Sequence, residues 1–389
     1  MARFFFVVPP LVGHINPTVS VGRLLMDKGH QVSWVGFWKD REHLLPEGAD
    51  LIRLPDGIYE NLYGGFIEES QRMRGLESVS FLWKRFLIPL ASRMFSSVER
   101  VVCQDDPHVL IVDQQAIAGA LVARKHARPF ATFVTSAPGA FVDPVPQLLR
   151  LSTFIDEQLA SLQQKFSIPS VLRPDFSDQL VCVFSTREFV GEGRFPDNIH
   201  FVGPSISARQ DDTPFEWDRL TDDPKVLVSL GTVNAERGRR FYKTVVDALA
   251  DEELQVIMVA PRELVQEIPK NFILADYVPQ LRLLRHVDVV VCHAGQNTVS
   301  ESLACGVPLV VAPIRDDQPL VASQVEACGV GIRLKFGRLK AVALRDAIRR
   351  LLEDSTYRDA VKRIQASFER AGGAEKTAAL LETLLEPRS

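Results

Sequence analysis

His293-Ala294-Gly295-Gln296-Asn297-Thr298, set between the strand-like runs Val287 to Val291 and Pro308 to Val311, is the stretch on which the fold turns. It reads as a strand, a tight turn opening a helix, and a second strand, the step from which a parallel sheet is built. Tyr277-Val278-Pro279-Gln280 precedes it, and Glu301, Gly306-Val307-Pro308 and Asp316-Asp317-Gln318 follow.

The same alternation runs outward in both directions. Toward the C-terminus come a helix Leu320 to Ala327, a strand Gly331 to Leu334 and helices from about Lys340, Thr356 and Glu375. Upstream are strands Val226 to Leu230, Gln255 to Ala260 and Phe272 to Leu274, with a helix Arg239 to Ala250. A polar stretch without periodicity, residues 205–224, separates this block from an earlier one.

The earlier block opens on strand Arg3 to Val8, whose unbroken aromatic and β-branched run predicts burial on both faces. A loop Pro9 to Pro17, a helix Thr18 to Lys28, and strands Gln31 to Gly36, Leu51 to Leu54, His108 to Val112 and Phe130 to Val134 follow. A helical region spans Gln71 to Val102 and a helix Ala116 to His126. The prediction is an α/β protein of two doubly wound parallel-sheet domains facing across a cleft. Its divisions are 1–204, a linker 205–224, a second domain 225–372, and a last helix within 373–389 packing back on the first domain.

The 389 residues, 46% apolar and 24% charged, suit two soluble cores. A formal charge of -4 gives no general attraction to nucleic acid. Five scattered cysteines without a C-x-x-C pair point to a reducing cytoplasm rather than zinc or disulfides. Pro9-Pro10 interrupts the first apolar run, which reads as a strand and not a signal peptide, and no run is long enough to cross a bilayer. A monomer or weak dimer is expected.

In such sheets ligands bind beyond the carboxyl ends of the strands, so the chemistry belongs in the loops there. A helix opening at Gln296 would present unpaired N–H groups and partial positive charge to a diphosphate, with Gly295 permitting close approach. Asn297 fits an ordinary helix cap equally well. Glu301 shares a helical face with Asn297, a spacing that could bring its carboxylate to ribose hydroxyls, although a solitary Glu on a helix is usually only solvated. Tyr277 suits stacking on a base or a strand-end core, Thr232 a phosphate contact or a tight turn, and Asp317-Gln318 could take sugar hydroxyls. His14, after the first strand, has the chemistry of a general base, and Asp113, after another, could orient it. Singly, they also fit a capping histidine and a helix N-cap. The aromatic residues between Asn61 and Phe95, among them Phe66, Trp83 and Phe86, together with Phe141, fit either a helix core or the wall of an apolar pocket.

The order Tyr-Val-Pro-Gln, His-Ala-Gly-x-Asn-Thr-x-x-x-Glu, Gly-Val-Pro and Pro-x-x-x-Asp-Gln resembles the donor signature of the UDP-glycosyltransferase family, glycosyltransferase family 1, which has the GT-B fold. The resemblance implies that Tyr277 stacks on the base, that Gln280 and Glu301 hold the nucleoside, and that Thr232, His293, Asn297 and Thr298 hold the diphosphate. Asp317 and Gln318 would hold the sugar, with Val278, Gly295 and Gln296 completing the same turns. It places the base at His14 and its partner at Asp113.

Many members have Trp where Tyr277 stands, which leaves a dTDP-sugar open beside a UDP-sugar. Val321-Ala322 resembles the variant found in bacterial carotenoid and natural-product glucosyltransferases. The expectation is an inverting hexosyl transfer, most simply of glucose, to a hydroxyl of a hydrophobic small molecule. It needs no metal, since no D-x-D triplet occurs, and no cofactor beyond the donor. Other readings are a sugar-nucleotide 2-epimerase, a transferase acting on a lipid-linked acceptor, and an auxiliary, non-catalytic member of the fold. A dinucleotide oxidoreductase lacks its G-x-G-x-x-G after the first strand.

Overall fold

A computed structural model describes the chain except residues 40, 71, 72, 74, 139–148, 194, 207–212, 232–237 and 387–389, and except the side chains of 56, 67, 68, 75, 76, 149 and 150. It divides into two units. The first comprises Met1–Thr186, Glu192–Arg209 and Ala371–Ser389, and the second Arg187–Gly191 and Gln210–Arg370.

Seven parallel strands form the sheet of the first unit: β1 Arg3–Val7, β2 Gln31–Gly36, β3 Asp50–Arg53, β4 Val109–Asp113, β5 Phe130–Val134, β6 Leu180–Val183 and β7 Ile199–Phe201. Their spatial order is β3-β2-β1-β4-β5-β6-β7. Phe4, Phe6, Trp34, Ile111 and Phe133 join one core cluster, which is why β1 and β4 carry no polar face. The order reverses between β1 and β4, so loops leaving their carboxyl ends diverge and open a crevice there. His14 and Asp113 lie at that point.

Helix α1 spans Val12–Asp27 and begins well before the predicted Thr18. Pro17 suggests a helix start, yet it lies inside α1, where its missing N–H forgoes only one intrahelical bond. His14 therefore stands in a helical first turn, its N–H donating to the Leu11 carbonyl at 2.8 Å, rather than in a loop. Helix α2, Asp56–Ser70, lies before the predicted helical region and is not part of that expectation, while the predicted helix over 71–102 is divided into α3 Gly75–Leu82, a π-helical turn Trp83–Leu87 and α4 Ile88–Asp105. Helix α5, Ile117–Lys125, connects β4 to β5. Sequence reasoning assigns no helix or strand between Val134 and Phe201, where α6 Leu149–Phe166, β6 and β7 lie; the two strands are short and give little periodicity.

A short helix, α7 Arg187–Val190, interrupts the predicted first domain and belongs to the second unit. Phe189 is 1% exposed and meets Phe368 edge-on, and Arg370 pairs with Glu188 at 3.2 Å. The second unit holds β8 Lys225–Ser229, β9 Gln255–Val259, β10 Phe272–Ala275, β11 Val289–Cys292, β12 Leu309–Val311 and β13 Gly331–Arg333, in the order β10-β9-β8-β11-β12-β13. Its helices are α8 Arg239–Leu249, α9 Gln280–Leu283, α10 Gln296–Ala304, α11 Gln318–Ala327, α12 Ala341–Glu353 and α13 Ser355–Ala371. The strand order again reverses beside the first strand, between β8 and β11. The turn that opened the sequence reading leaves β11 there.

The last helix, α14 Gly373–Glu382, lies in the first unit. Gly372 and Gly373, with φ of 87° and 51°, turn the chain where side-chained residues are strained. The Gly373 N–H donates to the Val202 carbonyl at 2.6 Å, and Ala374, Ala378 and Leu381 enter the core around β1. No helix among the described residues is long and apolar enough to cross a membrane.

Candidate functional site

In the first unit three side chains converge at the β1–β4 reversal. His14 Nδ1 lies 2.9 Å from Asp113 Oδ1 and 2.9 Å from Oδ2. Thr135, just past β5, places Oγ1 2.8 Å from the same nitrogen and 2.9 Å from Asp113 Oδ2. Three oxygens around one nitrogen assign the proton to Nδ1, with the Thr135 hydroxyl donating to the carboxylate. Nε2 is then the basic nitrogen. Asp113 is fully buried while the His14 side chain keeps 12% exposure. The Gln115 N–H, 2.8 Å from Oδ1, anchors the carboxylate, so Asp113 closes a local turn instead of capping α5, whose N-cap is Ala116. Sequence reasoning missed Thr135; a threonine after an apolar strand carries no signal without the neighbouring strand's register.

The aromatic residues split. Trp83 and Phe86 are each 1% exposed. Phe86 packs against the partly exposed Tyr59, Tyr63 and Phe66; the buried Phe37 stacks on Tyr59 at 5.5 Å and Tyr59 on Tyr63 at 4.8 Å, and Phe66 lies 5.4 Å from Phe81 and 5.0 Å from Phe86. Burial first, and Tyr63 second, push the Tyr59 hydroxyl up from its usual pKa. Phe141 lies outside the described residues, as does Thr232 in the second unit.

In the second unit, Cys292 pairs with Ser229, so the turns after β8 and β11 leave the sheet side by side. His293 is 9% exposed and lies between two glycines: a Cβ on Gly231 would come within 2.8 Å of its ring, and one on Gly295 within 2.7 Å. Gly295 thus makes room for a histidine as well as for any ligand. Burial holds His293 down to about 4; the Ser229 carbonyl opposes this and Arg315 reinforces it. The imidazole is neutral near pH 7, and its Nδ1 has no hydrogen-bond partner among the described residues.

Ala294 adopts a left-handed φ of 65°, unusual for a residue with a Cβ, and so aims the chain into α10. Gly295 caps that helix and has no side chain to occupy its end N–H groups. Asn297 and Thr298 are half-buried in its first turn. Gln296 instead turns along the helix, its amide donating to Ser300 Oγ at 3.0 Å.

Gln280 and Glu301 meet directly: Gln280 Nε2 donates to Glu301 Oε2 at 2.6 Å, and Glu301 is 2% exposed. Tyr277 is 67% exposed, so it is no strand-end core residue, and Val278 is half-buried beside it. Gln318 is 5% exposed, and its side-chain oxygen accepts the N–H groups of Ile314 at 2.9 Å and Arg315 at 3.0 Å. Only its amide N–H groups remain to meet a ligand. Asp317 is the N-cap residue of α11 and makes no capping bond with its side chain. Among the described residues no group of three or more His, Cys, Asp or Glu side chains is placed to hold a metal ion.

Residues 158–368 match the family described as UDP-glucoronosyl and UDP-glucosyl transferase, a span that includes the whole of the second unit's sheet. The chain belongs to this family. The transferase is 28% identical to the NDP-glycosyltransferase YjiC of Bacillus subtilis (strain 168), over 97% of this chain and 96% of that protein. It is likewise 28% identical to the demethyllactenocin mycarosyltransferase of Streptomyces fradiae, over 100% of this chain and 87% of that one.

Among solved structures, the glycosyltransferase VinC in complex with dTDP aligns with TM-score 0.77 at 18% identity, covering 98% of this chain and 99% of that one. The glycotransferase of kitacinnamycin aligns at 0.78 and 21%, covering 99% of each. These likenesses show the GT-B fold. The protein is a sugar-transferring enzyme, and the transferase carries the His293 to Glu301 turn and helix at the β8–β11 reversal and a His–Asp–Thr cluster at the β1–β4 reversal.

Proposed function

We propose that this glycosyltransferase moves a hexose, most simply glucose, from a UDP-sugar to a hydroxyl of a hydrophobic small molecule, inverting the anomeric centre. The observation that carries this is the His14–Asp113–Thr135 cluster, whose hydrogen bonds leave Nε2 as the proton acceptor. As the acceptor oxygen attacks the anomeric carbon, Nε2 takes its proton and the bond from that carbon to the diphosphate oxygen breaks. Asp113, fully buried, stabilises the imidazolium that forms. An α-linked donor then yields a β-glycoside.

In the second unit, the α10 N-terminus and the flanking turns receive the diphosphate. Glu301, oriented by Gln280, takes ribose hydroxyls; Tyr277 offers an exposed ring to the base; Asp317 and Gln318 take sugar hydroxyls. The donor is a substrate, and the proposal assigns no part to a metal or cofactor. The half-exposed Tyr59, Tyr63 and Phe66 favour an apolar acceptor, and the natural products in the relatives' names support that class.

A dTDP-sugar is the second reading, favoured by VinC having been solved with dTDP. Incubating the protein with UDP-glucose or dTDP-glucose and a panel of hydrophobic alcohols and phenols, read by mass spectrometry, tests both. Hexosylated product from UDP-glucose supports the first reading, product from dTDP-glucose alone the second, and no product from either contradicts the proposal.

A further inference from the structure

The turn from β12 into α11 brings a buried charge to the donor half of the molecule. Arg315 within it is 4% exposed. A guanidinium so withdrawn from water is unfavourable unless negative groups compensate it. Asp316 is one such group: its Oδ2 lies 3.3 Å from Arg315 Nε, on a side chain 34% exposed. The backbone here is tightly held. The Gln318 side-chain oxygen accepts the N–H groups of Ile314 and Arg315, the Gln318 N–H returns to the Arg315 carbonyl at 3.2 Å, and Asp316 adopts a left-handed φ of 56°.

Strand register sets this arginine beside the β11 turn. Cys292 pairs with Val311, so the turns after β11 and β12 leave adjacent strands at one sheet edge. Arg315 is close enough to oppose protonation of His293. With that histidine neutral, the α10 end offers an anion only about half an elementary charge. A departing nucleoside diphosphate carries several times as much.

We propose that Arg315 is the cation of the donor site, binding the donor's diphosphate and stabilising the charge that gathers there as the glycosidic bond breaks. In doing so the guanidinium exchanges the Asp316 carboxylate for phosphate oxygens, for which its planar fork is suited. The inference rests on reading the β11–α10 turn as the diphosphate site.

Calorimetric titration of the full chain with UDP, UDP-glucose and UDP-glucuronate tests it. Arg315→Gln is expected to weaken UDP and both sugar nucleotides alike, by about tenfold or more. Arg315→Lys should recover part of the loss, and Asp316→Asn should tighten UDP by removing the competing carboxylate. Opposite signs at the two positions are what a purely structural ion pair would not produce. Wild-type UDP affinity in Arg315→Gln overturns the proposal, whether it comes with loss of UDP-glucuronate binding alone, the mark of a uronate reader, or with only a lower Tm. If the wild-type protein binds neither UDP nor dTDP, the donor reading itself is wrong, an outcome separate from an unchanged Arg315 variant.

Discussion

His14 Nδ1 stands 2.9 Å from each carboxylate oxygen of Asp113, a symmetric approach that commits this nitrogen to the carboxylate. Asp113→Asn keeps the shape and removes the charge that, in the proposed mechanism, stabilises the imidazolium. Its kcat should fall by about two or more orders of magnitude, with donor Kd within about twofold of wild type. Steady-state kinetics beside a nucleotide titration read both.

Thr135 braces the same pair from the next strand. Thr135→Val removes one hydrogen bond, a loss of about 1 kcal/mol, or roughly a fivefold drop in kcat. A positioning role also moves the acidic limb of the pH–rate profile, where the base is lost to protonation, and Thr135→Ser should restore it. A drop in Tm with an unchanged profile would reduce Thr135 to packing.

Gln280 and Glu301 act as a unit through their 2.6 Å bond. Glu301→Ala should weaken the UDP-sugar by about tenfold, since the proposed charge-assisted contact to ribose would be lost. The Gln280→Ala/Glu301→Ala double variant should lose less than the sum of the singles. Full additivity in titrations of all three variants would mean that the pair does not cooperate.

Gly295→Ala places a Cβ 2.7 Å from the His293 ring, a contact no real Cβ tolerates, so the ring must leave its slot. A cost of about 1–3 kcal/mol in unfolding free energy is expected, together with loss of donor binding. Chemical denaturation and nucleotide titration measure the two effects.

His293 also gives the protein an acid-sensitive element. Its folded pKa of about 4 lies below the ordinary 6.5, so the unfolded chain binds the proton more readily. This contribution to stability is fully present above about 6.5 and falls progressively as pH drops through that window toward 4. His293→Gln should flatten that part of the stability–pH curve; an unchanged slope in denaturation midpoints would place the acid sensitivity elsewhere.

Much of this was legible from residue patterns. Continuous apolar runs marked β1, β4, β8 and β11, because strands covered on both faces have no polar side to disguise them. The turn from β11 into α10 was visible because it is contiguous: His293 to Glu301 sits on one strand–helix corner. What depended on register was not. Thr135 reaches His14 only because β5 lies beside β4, and Gly231 matters to His293 only because β8 lies beside β11. Pro17 concealed the true start of α1, and the aromatic run after Asn61 did not disclose that Trp83 and Phe86 face inward while Tyr63 and Phe66 remain partly exposed.

The central claim is that His14 removes the acceptor's proton. The most direct measurement is acceptor-dependent release of nucleoside diphosphate by His14→Ala, with donor affinity determined on the same sample. The account predicts turnover lower by about two to four orders of magnitude with donor Kd unchanged. Turnover at the wild-type rate with an alcohol acceptor would contradict it.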